Sequence, residues 1–182
     1  MLAQYVILGL LKERPMHGYE IKQRFERISG LFWKVSYGSL YPALRKLAKA
    51  GFIIQQSSSC KDSPGRKVFY LTEEGETALY KWLRKAHDIG DVDRNSTNEF
   101  MLRLIFFSFL PKEEAQKLLL KRQAMVQEKW EEMQGKLEEI ESREEKGDYY
   151  KLAMLDYIIR MIRAEKSWLE DLLSGKDMPS FS

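Results

Sequence analysis

The residues best equipped for chemistry in this 182-residue chain are few and scattered. The two histidines, His17 and His87, stand 70 positions apart, and neither lies in a recognisable catalytic run. No glycine-rich phosphate loop, nucleophile elbow or metal-binding pair of histidines occurs, so no enzyme is expected. One cysteine, Cys60, cannot form an intrachain disulfide and fits a reducing cytoplasm. With two His and one Cys, a structural zinc site lacks ligands, and no metal or cofactor is expected. What remains is positive charge. Between residues 34 and 67, Lys34, Arg45, Lys46, Lys49, Lys61, Arg66 and Lys67 face only Asp62. Residues 1–88 carry a net charge of +7 and residues 89–182 one of −4, within a total of +3. A local cationic excess is the footprint of a polyanionic partner, although a charge run by itself also describes a solvated surface.

The elements that must position these cations are legible from periodicity. Residues 2–13 are almost wholly apolar up to Lys12, which predicts a helix buried on more than one side. Arg14-Pro15-Met16-His17-Gly18 breaks it, and a second helix is expected to about Ser29, closed by Gly30. Its buried stripe is Ile21, Phe25 and Ile28. A third helix is expected between Ser36 and Ala50, regular from about Gly38 or Ser39 because Pro42 is tolerated only in a first turn, and stopped by Gly51. Leu40, Leu44 and Leu47 form its apolar back. Pro42, Arg45 and Lys49 face the other way, flanked by Ser39, Tyr41 and Lys46. Strand-like runs at Phe52 to Gln56 and Lys67 to Leu71 frame a turn-rich loop and predict a hairpin. Thr72 then caps a helix that begins with Glu73 and Glu74 and packs through Leu79, Trp82 and Leu83.

Helix, helix, helix, hairpin is the order of a winged helix, with the basic face of the third helix as its reading head. In that arrangement Arg45 reaches bases in the major groove of double-stranded DNA, helped by Ser39 and Tyr41. Lys61, Arg66 and Lys67 of the wing lie along the backbone. The start of helix two, around His17 and Tyr19, meets a phosphate. Because winged helices also serve as protein–protein modules, an adaptor without DNA binding is the alternative. The lysines on helix three argue against it, since protein interfaces are depleted of lysine.

The second half reads differently. A short apolar helix is expected over Glu99 to Phe109, then a long one from Pro111 to Lys146, with a seam at Val126, Trp130, Met133, Leu137 and Ile140. After Gly147-Asp148 the last helix carries Leu152, Leu155, Ile159, Ile162, Leu169 and Leu173 on one stripe. Met154, Ile158, Met161, Trp168 and Leu172 form a second. One seam closes a helical hairpin. The other calls for a further surface, either the same helix of a second subunit or the chain's own amino-terminal domain. The glutamates at 131, 132, 138, 139, 144 and 145 read as a solvated face rather than a metal site. Phe106, Phe107 and Phe109 read as core. No apolar run approaches a membrane span, and no basic stretch precedes Leu2, so neither a membrane anchor nor a secretory leader is expected.

Several runs resemble the PadR family of transcriptional regulators. Met16-His17-Gly18-Tyr19-Glu20-Ile21 matches its HGYEI-type motif, and Gly38-Ser39-Leu40-Tyr41-Pro42-Ala43-Leu44-Arg45-Lys46-Leu47 matches its run on the recognition helix. Gly51-Phe52-Ile53, Pro64-Gly65-Arg66-Lys67 and Tyr70-Leu71-Thr72-Glu73-Glu74-Gly75 match the wing and the helix after it. Asn98-Glu99-Phe100-Met101-Leu102-Arg103-Leu104 and the helices beyond resemble the long carboxy-terminal domain of one PadR subgroup and of related virulence activators. The resemblance implies a homodimeric DNA-binding regulator, usually a repressor, of a family whose members often respond to phenolic or other aromatic small molecules. The expected architecture is therefore mainly α: a winged helix-turn-helix domain at 1–86 and a helical, coiled-coil-like dimerisation domain at 95–175. Trp33, Trp82 and Phe100 are the residues expected to meet an aromatic effector.

Overall fold

The computed structural model describes residues 2–32, 40–57, 67–85, 94–141 and 149–175. They form two compact units, the described residues up to 110 making one and those from 111 onward the other.

The first unit is built around α1 (Leu2–Glu13), which packs on α2 (Gly18–Phe32), α3 (Leu40–Lys49), β3 (Lys67–Leu71) and α4 (Glu73–Arg84). Val6, Ile7, Leu8, Leu10 and Leu11 of α1 are all buried, as a helix apolar on most sides requires. Between α1 and α2 the pair Met16–His17 forms a short strand, β1, and β2 (Ile53–Ser57) supplies the third. The sheet is antiparallel in the order β1-β3-β2, with Met16 and Gln55 on either side of Phe69. This is the winged helix, and β1 is its one element that local sequence did not reveal.

Three boundaries behave instructively. Gly51 has φ +75°, the left-handed turn that ends α3 as expected. Gly30, expected to close α2, does not, and the helix continues to Phe32. A helical glycine costs only about 1 kcal/mol, which the buried Ile21 and Phe25 of the same helix offset. Thr72 caps α4 as expected, its Oγ1 accepting from the Gly75 amide at 3.1 Å and donating to the Gly51 carbonyl at 2.7 Å.

The apolar helix expected over Glu99 to Phe109 is also redrawn. The helix α5 runs from Arg94 to Leu104, and a single 3₁₀ turn follows at Phe107–Phe109. Pro111 holds Leu110 in extended backbone (ψ 152°), so no helix can pass through. This segment belongs to the first unit. Phe106 lies so close to α1 that a Cβ on Gly9 would stand 2.5 Å from its ring. Trp82 stacks on Tyr5 with centroids 4.8 Å apart, and its Nε1 donates to Glu99 at 3.1 Å. The buried Arg103 lies 3.5 Å from the Glu99 carboxylate and donates to the Lys85 carbonyl.

The second unit is a hairpin of α6 (Lys112–Glu141) and α7 (Tyr149–Leu173). Val126 and Met133 of α6 and Leu155, Ile159, Ile162 and Leu169 of α7 are buried along the expected seam. Trp130 lies under two cations of α7, with Arg163 5.0 Å and Lys166 5.9 Å from its ring centroid.

Candidate nucleic-acid interface

The amphipathic pattern of α3 turns its sequence into a reading surface. Leu40, Ala43, Leu44 and Leu47 are buried against the core, which leaves Tyr41, Pro42, Arg45, Lys46 and Lys49 exposed on the outer side. Tyr41 is 54% exposed, a large ring area that the fold leaves uncovered.

Beside this face lies a cleft of about 1000 Å³. Five of the residues expected to contact DNA line it: His17 and Tyr19 from the start of α2, Tyr41 and Arg45 from α3, and Lys67 from the wing. The pairing of β1 with β3 brings them together, because it fixes His17 opposite Val68 and so places the start of α2 next to the wing. Pro42, Lys46 and Lys49 are exposed on α3 outside the cleft lining. Ser39, Lys61 and Arg66 lie outside the described residues, as do Cys60 and His87.

The electrostatics of the cleft favour an anion. Its one carboxylate, Glu20, accepts from Arg14 Nη1 at 3.1 Å and lies 3.4 Å from Arg24 Nε. Arg24 is bridged in turn to Glu13. Glu20 is thus neutralised by its own neighbours, whereas Arg45 and Lys67 have no ion-pair partner among the described residues. The Nδ1 atom of His17 is buried and without a hydrogen-bond partner among them. Sequence reasoning missed Gln55 and Phe69, which complete the cleft wall. Only the strand register could have found them, since Gln55 pairs with Phe69 across β2 and β3.

The other expected sites divide. On α7, Met154 (59% exposed) and Met161 (57%) stand clear of the hairpin seam, with Ile158, Trp168 and Leu172 half-buried. Tyr150 and Tyr157 are also exposed, at the intervening helical positions. Of the residues expected to meet an effector, Trp82 and Phe100 are core side chains. Tyr5 covers the first, and Phe107 meets the second edge-on at 6.1 Å. Trp33 lies outside the described residues.

The model of the transcriptional regulator PadR-like family matches residues 7–81, and that of the virulence activator alpha C-terminal region matches residues 97–175. The negative transcriptional regulator PadR of Bacillus subtilis (strain 168) is 30% identical over 179 residues, which cover 96% of this chain and 97% of that protein. Among solved structures, Bacillus subtilis PadR in complex with operator DNA is 29% identical, covers 94% of this chain and 96% of its own, and has a TM-score of 0.43. The same regulator in complex with p-coumaric acid is 29% identical, with coverages of 96% and 98% and a TM-score of 0.44. Among the described residues no helix is long and apolar enough to cross a membrane. With a family model on each half and a relative aligned along nearly its whole length, this chain belongs to the PadR family of transcriptional regulators.

Proposed function

We propose that this chain binds a palindromic operator in double-stranded DNA as a homodimer in the cytoplasm, represses transcription there, and is released by a small aromatic molecule. The observation that carries the reading is the exposed face of α3, where Tyr41, Arg45, Lys46 and Lys49 project from a helix whose opposite side is core. Arg45 is the base-reading residue, since its guanidinium can bond both acceptors of a guanine edge. Lys46, Lys49 and Lys67 hold phosphates, as do Lys61 and Arg66 in the sequence reading. His17 and Tyr19 meet the backbone at the start of α2.

One winged helix reads too few base pairs to select a site in a genome, so two must be held about one helical turn, ~34 Å, apart. The exposed stripe of α7 supplies the surface for that pairing. The repressing sign is supported by the Bacillus subtilis relative, a negative regulator. The aromatic effector is supported by the family resemblance.

Selection of bound sites from random duplex DNA tests the proposal. The expected product is a two-fold symmetric sequence, retained by a species of twice the chain mass. A pool with no enriched sequence, together with no retention at low salt, would instead favour the protein–protein adaptor.

A further inference from the structure

Glu20 stands where a surface built for a polyanion gains nothing from a carboxylate. It lies in the first turn of α2 and is, among the described residues, the one acidic side chain lining the cleft, beside His17, Tyr41, Arg45 and Lys67. It opposes DNA in two ways. Its own charge repels phosphates, and it occupies Arg14, a cation that would otherwise be free to meet them. The Arg14 guanidinium grips Glu20 with both terminal nitrogens, Nη1 on Oε2 at 3.1 Å and Nη2 on Oε1. Arg24 Nε stands 3.4 Å from the same Oε1, while its Nη1 is bridged to Glu13. The two-pronged grip fixes the Arg14 guanidinium in place as well as neutralising it.

Folding does not call for this arrangement. The Arg14 side chain is 51% exposed and that of Glu20 28%, and ion pairs so open to water contribute little to stability. What ties this stretch to the core is apolar. Met16, Ile21 and Phe25 are buried, and β1 is already paired with β3. The carboxylate instead changes how many cations the start of α2 offers to a partner.

We propose that Glu20 is a specificity-determining residue of the DNA-binding surface, which holds Arg14 away from phosphates and so suppresses binding to random sequence. The inference rests on the DNA-binding reading above. On random duplex the electrostatic attraction supplies essentially all the affinity, and the chain is free to take whichever register gives each cation a phosphate. On the operator the base contact of Arg45 admits one register, so a released Arg14 gains a phosphate only where that register puts one. Freeing Arg14 therefore favours random DNA. A genome offers about 10⁶–10⁹ competing sites, so the ratio of the two affinities decides whether the operator is found.

Fluorescence anisotropy of the full chain on selected and random duplexes, across a salt series, tests this. Glu20→Gln keeps the shape of the side chain and removes its charge. It should bind random duplex about five- to tenfold more tightly, with a slope of log K against log salt steeper by about 0.9. Binding to the selected duplex should rise less, so that the ratio falls. Adding Arg14→Ala to Glu20→Gln should return the slope on random duplex to its original value. Arg14→Ala alone should leave the slope unchanged, because a guanidinium held by Glu20 displaces no counterions from DNA. An unchanged helical circular dichroism spectrum identifies the folded variants. Random-duplex binding that does not tighten in Glu20→Gln, or equal tightening on both duplexes, overturns the inference. So does a shallower slope for Arg14→Ala, which would put that residue on the DNA already, whether or not Glu20→Gln folds. If the unaltered chain binds DNA while these variants fail the test, the inference falls alone. If the unaltered chain retains no duplex even at low salt, the DNA-binding reading falls and takes the inference with it.

Discussion

Arg122 on α6 grips Glu165 on α7 through two nitrogens at once, Nε at 2.8 Å and Nη2 at 2.7 Å from the same carboxylate oxygen. Both side chains are withdrawn from water, at 2% and 12% exposure. Apolar seams tolerate a slip of one helical turn, because one leucine replaces another. A buried charge does not, since a slip would strand it without its partner. Glu165→Ala should therefore destabilise the hairpin by about 3–5 kcal/mol. Replacing both partners, Arg122→Met with Glu165→Leu, should recover most of that loss. Urea unfolding of the single and double variants measures the difference, and equal losses in both would mean that the ion pair itself stabilises the hairpin.

Arg45→Ala tests the reading head. Arg45 is exposed on α3 and its removal leaves the core untouched, so the fold should persist. Loss of a base contact should cost about 1–3 kcal/mol on the selected site and relax preference at one position per half-site. Equal weakening on selected and random duplexes would make it a phosphate contact.

Lys67 on β3 should behave in the opposite way. Lys67→Ala should weaken all duplexes alike and reduce the slope of log K against log salt by about 0.9. Fluorescence anisotropy across a salt series reads that slope, and an unchanged value would remove Lys67 from the backbone contacts.

The exposed stripe of α7 predicts the assembly. Met154→Glu with Met161→Glu puts two charges on a face that α6 does not cover. The variant should keep its helical content and sediment as a monomer. It should also lose the two-fold symmetric site while retaining weak, salt-sensitive binding, since two half-sites are then no longer linked. A variant that still sediments as a dimer would move the interface off this stripe.

The sequence by itself determined whatever depends on neighbours a few residues apart. The apolar spacing of Leu40, Leu44 and Leu47 sets the buried back of α3 and with it the exposed cations. The same short-range logic placed Thr72 as a cap, Gly51 as a stop, and the α6–α7 seam, because capping and helical periodicity act within one or two turns. The tertiary structure decided what depends on distant pairing. Met16–His17 becomes a strand only because β3 lies alongside it, and this brings His17 and Tyr19 to the same cleft as Arg45 and Lys67. Gln55 and Phe69 join them through a register that composition does not encode, and Glu165 finds Arg122 across 43 positions. Gly30 and the end of α5 went against local expectation for the same reason. A glycine's small helical cost and a phenylalanine's choice of direction are settled by the core each segment meets, here Gly9 of α1 yielding its space to the ring of Phe106.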